Sequence, residues 1–144
     1  MDMEQAMEDT QPDPEQKNAK IRIMIVDDSD VFRKVLRRYI ASLPCLELVG
    51  ECADGKEALV LARTLRPELM LMEVELSGMN GLLTAELVRH SHPSIRMILV
   101  SLHGREQLKM LCLDHGVDRF VPKDRLCEEL PDVIDELFPR AGSC

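Results

Sequence analysis

From Ile21 onward the chain repeats one unit five times: a short apolar run, then a stretch with apolar residues at helical spacing. The runs are Ile21–Val26, Leu46–Gly50, Leu69–Val74, Ile95–Val100 and Arg119–Val121. Each has the length of a strand rather than a helix. In the first helical stretch Val31, Phe32, Val35, Leu36, Tyr39, Ile40 and Leu43 share one face, and Arg33, Lys34, Arg37 and Arg38 take the other. Pro44 closes it. Further helices are expected over Gly55–Leu65, Leu82–His90 and Arg105–His115, with Gly116 at the left-handed position beyond the last of these. Pro131 is expected in the first turn of a final helix ending near Phe138.

Alternation of this kind specifies an α/β layer structure. The first, third and fourth runs are nearly all apolar, which suits a parallel sheet covered on both faces. Right-handed crossovers put helices on both sides. Five units are too few for a closed eight-fold barrel. The expected fold is therefore a flavodoxin-like, doubly wound (βα)5 domain with a five-stranded parallel sheet, whose ligands sit beyond the carboxyl ends of the strands.

Charge and cysteine usage narrow the function. A formal net charge of −8 disfavours nucleic acid and anionic membrane surfaces as partners. No apolar run approaches the roughly 20 residues of a membrane helix. The acidic N-terminus lacks a signal-peptide core, so a cytoplasmic location is expected. Five cysteines without CxxC spacing argue against a disulfide framework or a zinc ribbon, and most read as small buried hydrophobes. Residues 1–20 carry six acidic side chains against Lys17 and Lys20 and are expected to be a disordered tail. That leaves 21–138 as the folded domain and 139–144 as a C-terminal tail.

Several functional side chains fall at the strand ends. The first strand ends in Asp27-Asp28, with Asp30 close behind. The third ends near Glu73, with Glu75 two residues on. Ser101 follows the fourth, and Lys123 the fifth. Taken singly, such acids often cap the next helix, and Asp28, Ser29 or Asp30 could each cap the first one. Taken together, side-by-side carboxylates repel unless a positive charge sits among them. Lys123 and a divalent cation are the candidates, and oxygen ligands from two or three carboxylates suit Mg²⁺.

The segments Ile23–Asp30 (IMIVDDSD), Pro67–Gly81 (PELMLMEVELSGMNG), Ser101 and Gly116–Asp124 together resemble a response-regulator receiver domain of two-component phosphorelays. The resemblance covers about residues 20–138. It implies that Asp27 and Asp28 hold Mg²⁺, with the backbone carbonyl of Glu75 completing the metal site. It implies that Ser101 bonds a phosphoryl group, that Lys123 pairs with it, and that Phe120 is the aromatic that follows the movement of Ser101. It also implies a protein partner, either a sensor histidine kinase or a downstream signalling protein. That partner would be met on the face built by the fourth helix, fifth strand and fifth helix.

One position departs from the family at the centre of the site. Glu73 stands where the family has its phosphate-accepting Asp, and Gly78-Met79-Asn80-Gly81 follows at the usual offset. The extra methylene displaces the carboxylate by about 1.5 Å. Phosphoryl transfer depends on in-line positioning, and a misplacement of about 1 Å can cost on the order of 10²-fold in rate. The longer carboxylate is expected to accept bonds from Ser101 and Lys123, bringing about one negative charge where a phosphoryl group brings about two. Glu73 is then phosphorylation-independent or a partial mimic of the phosphorylated state. A slow phosphoacceptor and a degenerate adaptor with a dead site are the alternatives. Glu73 also remains an oxygen ligand for Mg²⁺. Two lesser departures are Ser77, where Pro is common, and Leu102, where a small residue is common.

An enzyme or nucleotide binder of the same architecture finds no support. No Gly-rich phosphate loop follows the first strand, and no Ser-His or Cys-His pair is suggested at the rim. Only six residues follow Phe138, so the output is expected to be contact with another protein rather than an attached domain. The reading is a binding module and not an enzyme.

Overall fold

The computed structural model describes residues 19–103 and 105–139. Apart from their inner ends, the tails expected over 1–20 and 139–144 lie outside these. Strands β1 (Ile21–Val26), β2 (Leu46–Cys52), β3 (Leu69–Glu73), β4 (Arg96–Ser101) and β5 (Arg119–Pro122) alternate with helices. The helices are α1 (Asp30–Ser42), α2 (Gly55–Leu65), α3 (Gly81–Ser91), α4 (Arg105–Asp114) and α5 (Leu126–Leu137). All strand pairs are parallel. The sheet order is β2-β1-β3-β4-β5, the doubly wound order in which the succession of strands switches sides between β1 and β3. Among the described residues no helix is long and apolar enough to cross a membrane.

The two-residue period of a strand sorts the core by side-chain type. Ile21, Ile23, Ile25, Leu69, Leu71, Ile98 and Val100 face α1 and α5, meeting Leu36, Ile40, Leu130 and Ile134. Met24, Met70, Met72 and Met97 face the other way, onto the small residues Ala58, Ala62 and Ala85 of α2 and α3. Unbranched thioethers fill the irregular space those alanines leave. Each such fully buried side chain contributes about 1.5–3 kcal/mol.

Four expectations need correction. β2 runs on to Cys52 because its register slips between Ile23 and Met24, so Val49 is passed over in the pairing. On α1, Val31 and Val35 are 75% and 52% exposed. The packed stripe is Phe32, Leu36, Tyr39, Ile40 and Leu43, which leaves those two valines a third of a turn outside it. Cys45 is disulfide-bonded, although Cys52, Cys112 and Cys127 are free thiols. Burial pushes Cys52 up to about 12 and Cys112 up to about 11, which keeps both unreactive.

The fourth correction concerns Pro131, which lies inside α5 rather than in its first turn. A proline there cannot donate to the carbonyl four residues back, that of Cys127. The hydroxyl of Tyr39 on α1 donates to that carbonyl instead, at 2.8 Å. Tyr39→Phe should lower stability by about 0.5–1 kcal/mol in urea unfolding. An unchanged midpoint would mean that solvent serves the carbonyl equally well.

Candidate functional site

The carboxyl ends of β1, β3, β4 and β5 are level, with Val26 opposite Met72, Glu73 opposite Val100 and Ser101 opposite Pro122. Level ends bring Asp27, Glu73, Ser101 and Lys123 to one rim. All four are withdrawn from solvent: Asp27, Glu73 and Ser101 are buried, and the Lys123 side chain is 8% exposed. Each strand stops when its backbone leaves the ladder, and the amide two residues on then needs an acceptor. Asp27 Oδ1 accepts from the Ser29 N–H (2.8 Å), Glu73 Oε2 from the Glu75 N–H (2.9 Å) and Ser101 Oγ from the His103 N–H (3.2 Å). Side-chain to backbone bonds of this local kind are what short polar residues form where regular structure ends. Helix α1 is capped by Ser29, whose Oγ accepts from the Phe32 N–H, so neither Asp27 nor Asp28 is spent on capping.

Lys123 lies at the centre of the rim. Its Nζ is 2.7 Å from Asp27 Oδ2 and 2.7 Å from Glu73 Oε1. It also lies 4.1 Å from the centroid of the Phe32 ring, a cation–π distance. Asp27 Oδ2 is buried, and the ammonium 2.7 Å away is its charged partner. Burial opposes charge on Lys123, but the carboxylates of Asp27 and Glu73 outweigh it and hold the ammonium above the usual lysine range. All described peptide bonds, that between Lys123 and Asp124 included, are trans.

The expected set is thus brought together in part. Glu73 reaches Lys123 but forms no bond with Ser101, whose Oγ accepts from the His103 amide. Phe120 is buried against the core face that packs α2, α3 and α4. The Glu75 side chain is exposed, and only its amide meets Glu73. Asp28 is exposed, and its Oδ2 accepts from Ser77 Oγ at 3.0 Å. Arg33 does not lie on an outer face of α1. Its side chain, 15% exposed, folds over the rim to Asp30, Glu51 and the carbonyl of Asp27. The Asp30–Arg33 spacing of three residues on a helix signals that pair, though not the contact with Glu51. Phe32 and Ser77 had no comparable signal.

Whether these residues suit a divalent cation depends on their free oxygens. Among the described residues no three His, Cys, Asp or Glu side chains group as a cage. Glu73 and Asp27 are engaged alike, each with one oxygen on a backbone amide and the other on Lys123, and each oxygen keeps a lone pair for a cation. Asp28, exposed and away from Lys123, adds the most accessible carboxylate beside Asp27. Two carboxylates suffice for Mg²⁺, which keeps several of its waters.

The family model for the response regulator receiver domain matches residues 23–135. The chain belongs to that family. Receiver domains are modules of two-component signalling. The response regulator GacA of Pseudomonas protegens is 30% identical over 118 residues, which cover 82% of this chain and 55% of GacA. The chain thus spans about half the length of that curated relative. The receiver domain of the response regulator NarL from Mycobacterium tuberculosis is 29% identical, with a TM-score of 0.75 over 85% of this chain and 98% of that domain. The fold also matches a CheX–CheY–BeF3–Mg complex from Borrelia burgdorferi, at 23% identity and a TM-score of 0.76 over 82% of this chain and 89% of that one.

Proposed function

We propose that this receiver domain is a cytoplasmic protein-binding module of a phosphorelay whose state does not depend on phosphorylation. The observation that carries the reading is the engagement of Glu73. One carboxylate oxygen is paired with Lys123 and the other accepts the Glu75 amide, so attack on a phosphoryl donor would have to compete with both contacts. Glu73 supplies the partner that Lys123 would otherwise find in a phosphoryl group. It does not draw on Ser101, so as a mimic of the phosphorylated state it is incomplete.

The face built by α4, β5 and α5 is the proposed contact for a sensor histidine kinase or a downstream signalling protein. Met110, Leu111 and Leu113 stand exposed on α4. Beside them lies a cleft of about 200 Å³ lined by Glu106, Lys109, Phe120, Pro122 and Glu129. Asp27 and Asp28 are the proposed Mg²⁺ ligands. When bound, the ion would supply positive charge at the rim.

The test is intact mass after incubation with Mg²⁺ and acetyl phosphate, beside Glu73→Asp. The expected result is gain of one phosphoryl group by the variant only, since the shorter side chain gives up the reach to Lys123. Gain by both proteins would make Glu73 a working acceptor and overturn the reading. Gain by neither would point to a dead site.

A further inference from the structure

The three rim carboxylates differ in what they have left to offer. Glu73 has both oxygens engaged. Asp27 has one oxygen on the Ser29 amide and the other facing Lys123. Asp28 is exposed, and its only hydrogen-bond donor among the described residues is the Ser77 hydroxyl, on Oδ2. A cation arriving from solvent therefore meets Asp28 first, through the oxygen that Ser77 leaves uncovered.

The Ser77–Asp28 bond spans 49 residues of chain. It ties the loop after β3 to the loop after β1, across the end of the sheet. Gly78, at φ +78 with nothing within 4 Å of an added Cβ, forms the turn that follows Ser77. Asp28 and Ser77 are both exposed, and a cleft of about 380 Å³ lined by Asp54, Lys56, Ser77, Gly78 and Met79 opens on the Ser77 side. An exposed aspartate without such a tie samples several rotamers, and ordering it on binding costs free energy. A hydroxyl on one oxygen fixes the carboxylate while leaving the other available, as outer-sphere partners of metal ligands do.

We propose that Ser77 is a positioning residue for a divalent cation, holding Asp28 as the ligand that first receives Mg²⁺. This rests on the reading of Asp27 and Asp28 as the Mg²⁺ ligands. The test is calorimetric titration of the full chain and its variants with Mg²⁺, with thermal midpoints recorded alongside to confirm folding. Ser77→Ala should weaken binding about three- to tenfold, the low end of outer-sphere effects because the bond is exposed. Ser77→Thr, which keeps the hydroxyl, should stay within about twofold of the unaltered chain by the same argument. Asp28→Asn should abolish binding. Unchanged or tighter binding in Ser77→Ala, with loss in Asp28→Asn, would overturn the role of Ser77 and leave the metal reading standing. No binding by the unaltered chain, or unchanged binding in Asp28→Asn, would overturn both.

Discussion

Lys123→Met should cost the fold about 3–5 kcal/mol, the loss expected when one partner of a buried ion pair is removed and the other is stranded. Here two partners are stranded. The side chains of Lys123, Asp27 and Glu73 are 8%, 2% and 8% exposed, so solvent cannot replace the ammonium. Methionine retains contact with Phe32 and fills the space, which isolates the charge. Urea unfolding at neutral pH reads the effect. Removing one stranded carboxylate as well, in Lys123→Met/Glu73→Gln, should recover about 1–3 kcal/mol of the loss through the coupling of neighbouring sites. A single variant within 1 kcal/mol of the unaltered chain would mean the triad does little for stability.

The same pair of proteins gives a pH signature. Burial works against the Lys123 charge, the two carboxylates outweigh it, and its value in the folded state is held above the ordinary 10.5. A group raised on folding contributes stability that is complete below its unfolded value and is lost as pH rises through its folded one. The gap between the unaltered chain and Lys123→Met should thus be widest below pH 10.5 and close above it. Tyr39, raised by burial, titrates in the same alkaline range. It is present in both proteins, so it drops out of the difference.

What the sequence reveals and hides can be argued from these residues. The strands were legible because a strand buried on both faces leaves an uninterrupted apolar run, as in Leu69–Met72. The convergence of Asp27, Glu73 and Lys123 was legible because a doubly wound sheet brings its strand ends to one rim. The seam of α1 was not, because seven apolar residues among thirteen fit more than one helical stripe. Only docking against Ile21, Ile23 and Ile25 selects Phe32, Leu36 and Ile40 and turns Val31 outward. Arg33 folds inward because its acidic partner Glu51 arrives from β2, 18 residues away. Pro131 is tolerated within α5 because Tyr39 reaches Cys127 from a distant helix. The local contacts Glu75 N–H to Glu73 and His103 N–H to Ser101 were not legible either, because they depend on how the backbone turns after each strand.

Gly81→Ala should destabilise the fold by about 3 kcal/mol, the upper part of the usual range for forcing atoms into a packed interior. Gly81 opens α3, and its amide donates to the Val74 carbonyl at 2.8 Å. A Cβ there would lie 2.3 Å from the Glu73 carbonyl oxygen and 2.9 Å from Val74 Cα. Both are backbone atoms of the strand end that carries Glu73, so no rotamer change relieves the clash, and α3 must move away from β3. Gly78 provides the contrast three residues earlier. Its φ of +78 strains any L side chain, but an added Cβ meets nothing within 4 Å. Gly78→Ala should cost only the left-handed penalty of about 1–2 kcal/mol. The two variants also differ at the site. Gly81→Ala should shift the amide resonances of Glu73 and Glu75 in an ¹⁵N spectrum and loosen the Lys123 contact, whereas Gly78→Ala should leave Glu73 in place. If Gly81→Ala proves no more destabilising than Gly78→Ala, the close approach of α3 to β3 is not what fixes Glu73 at the rim.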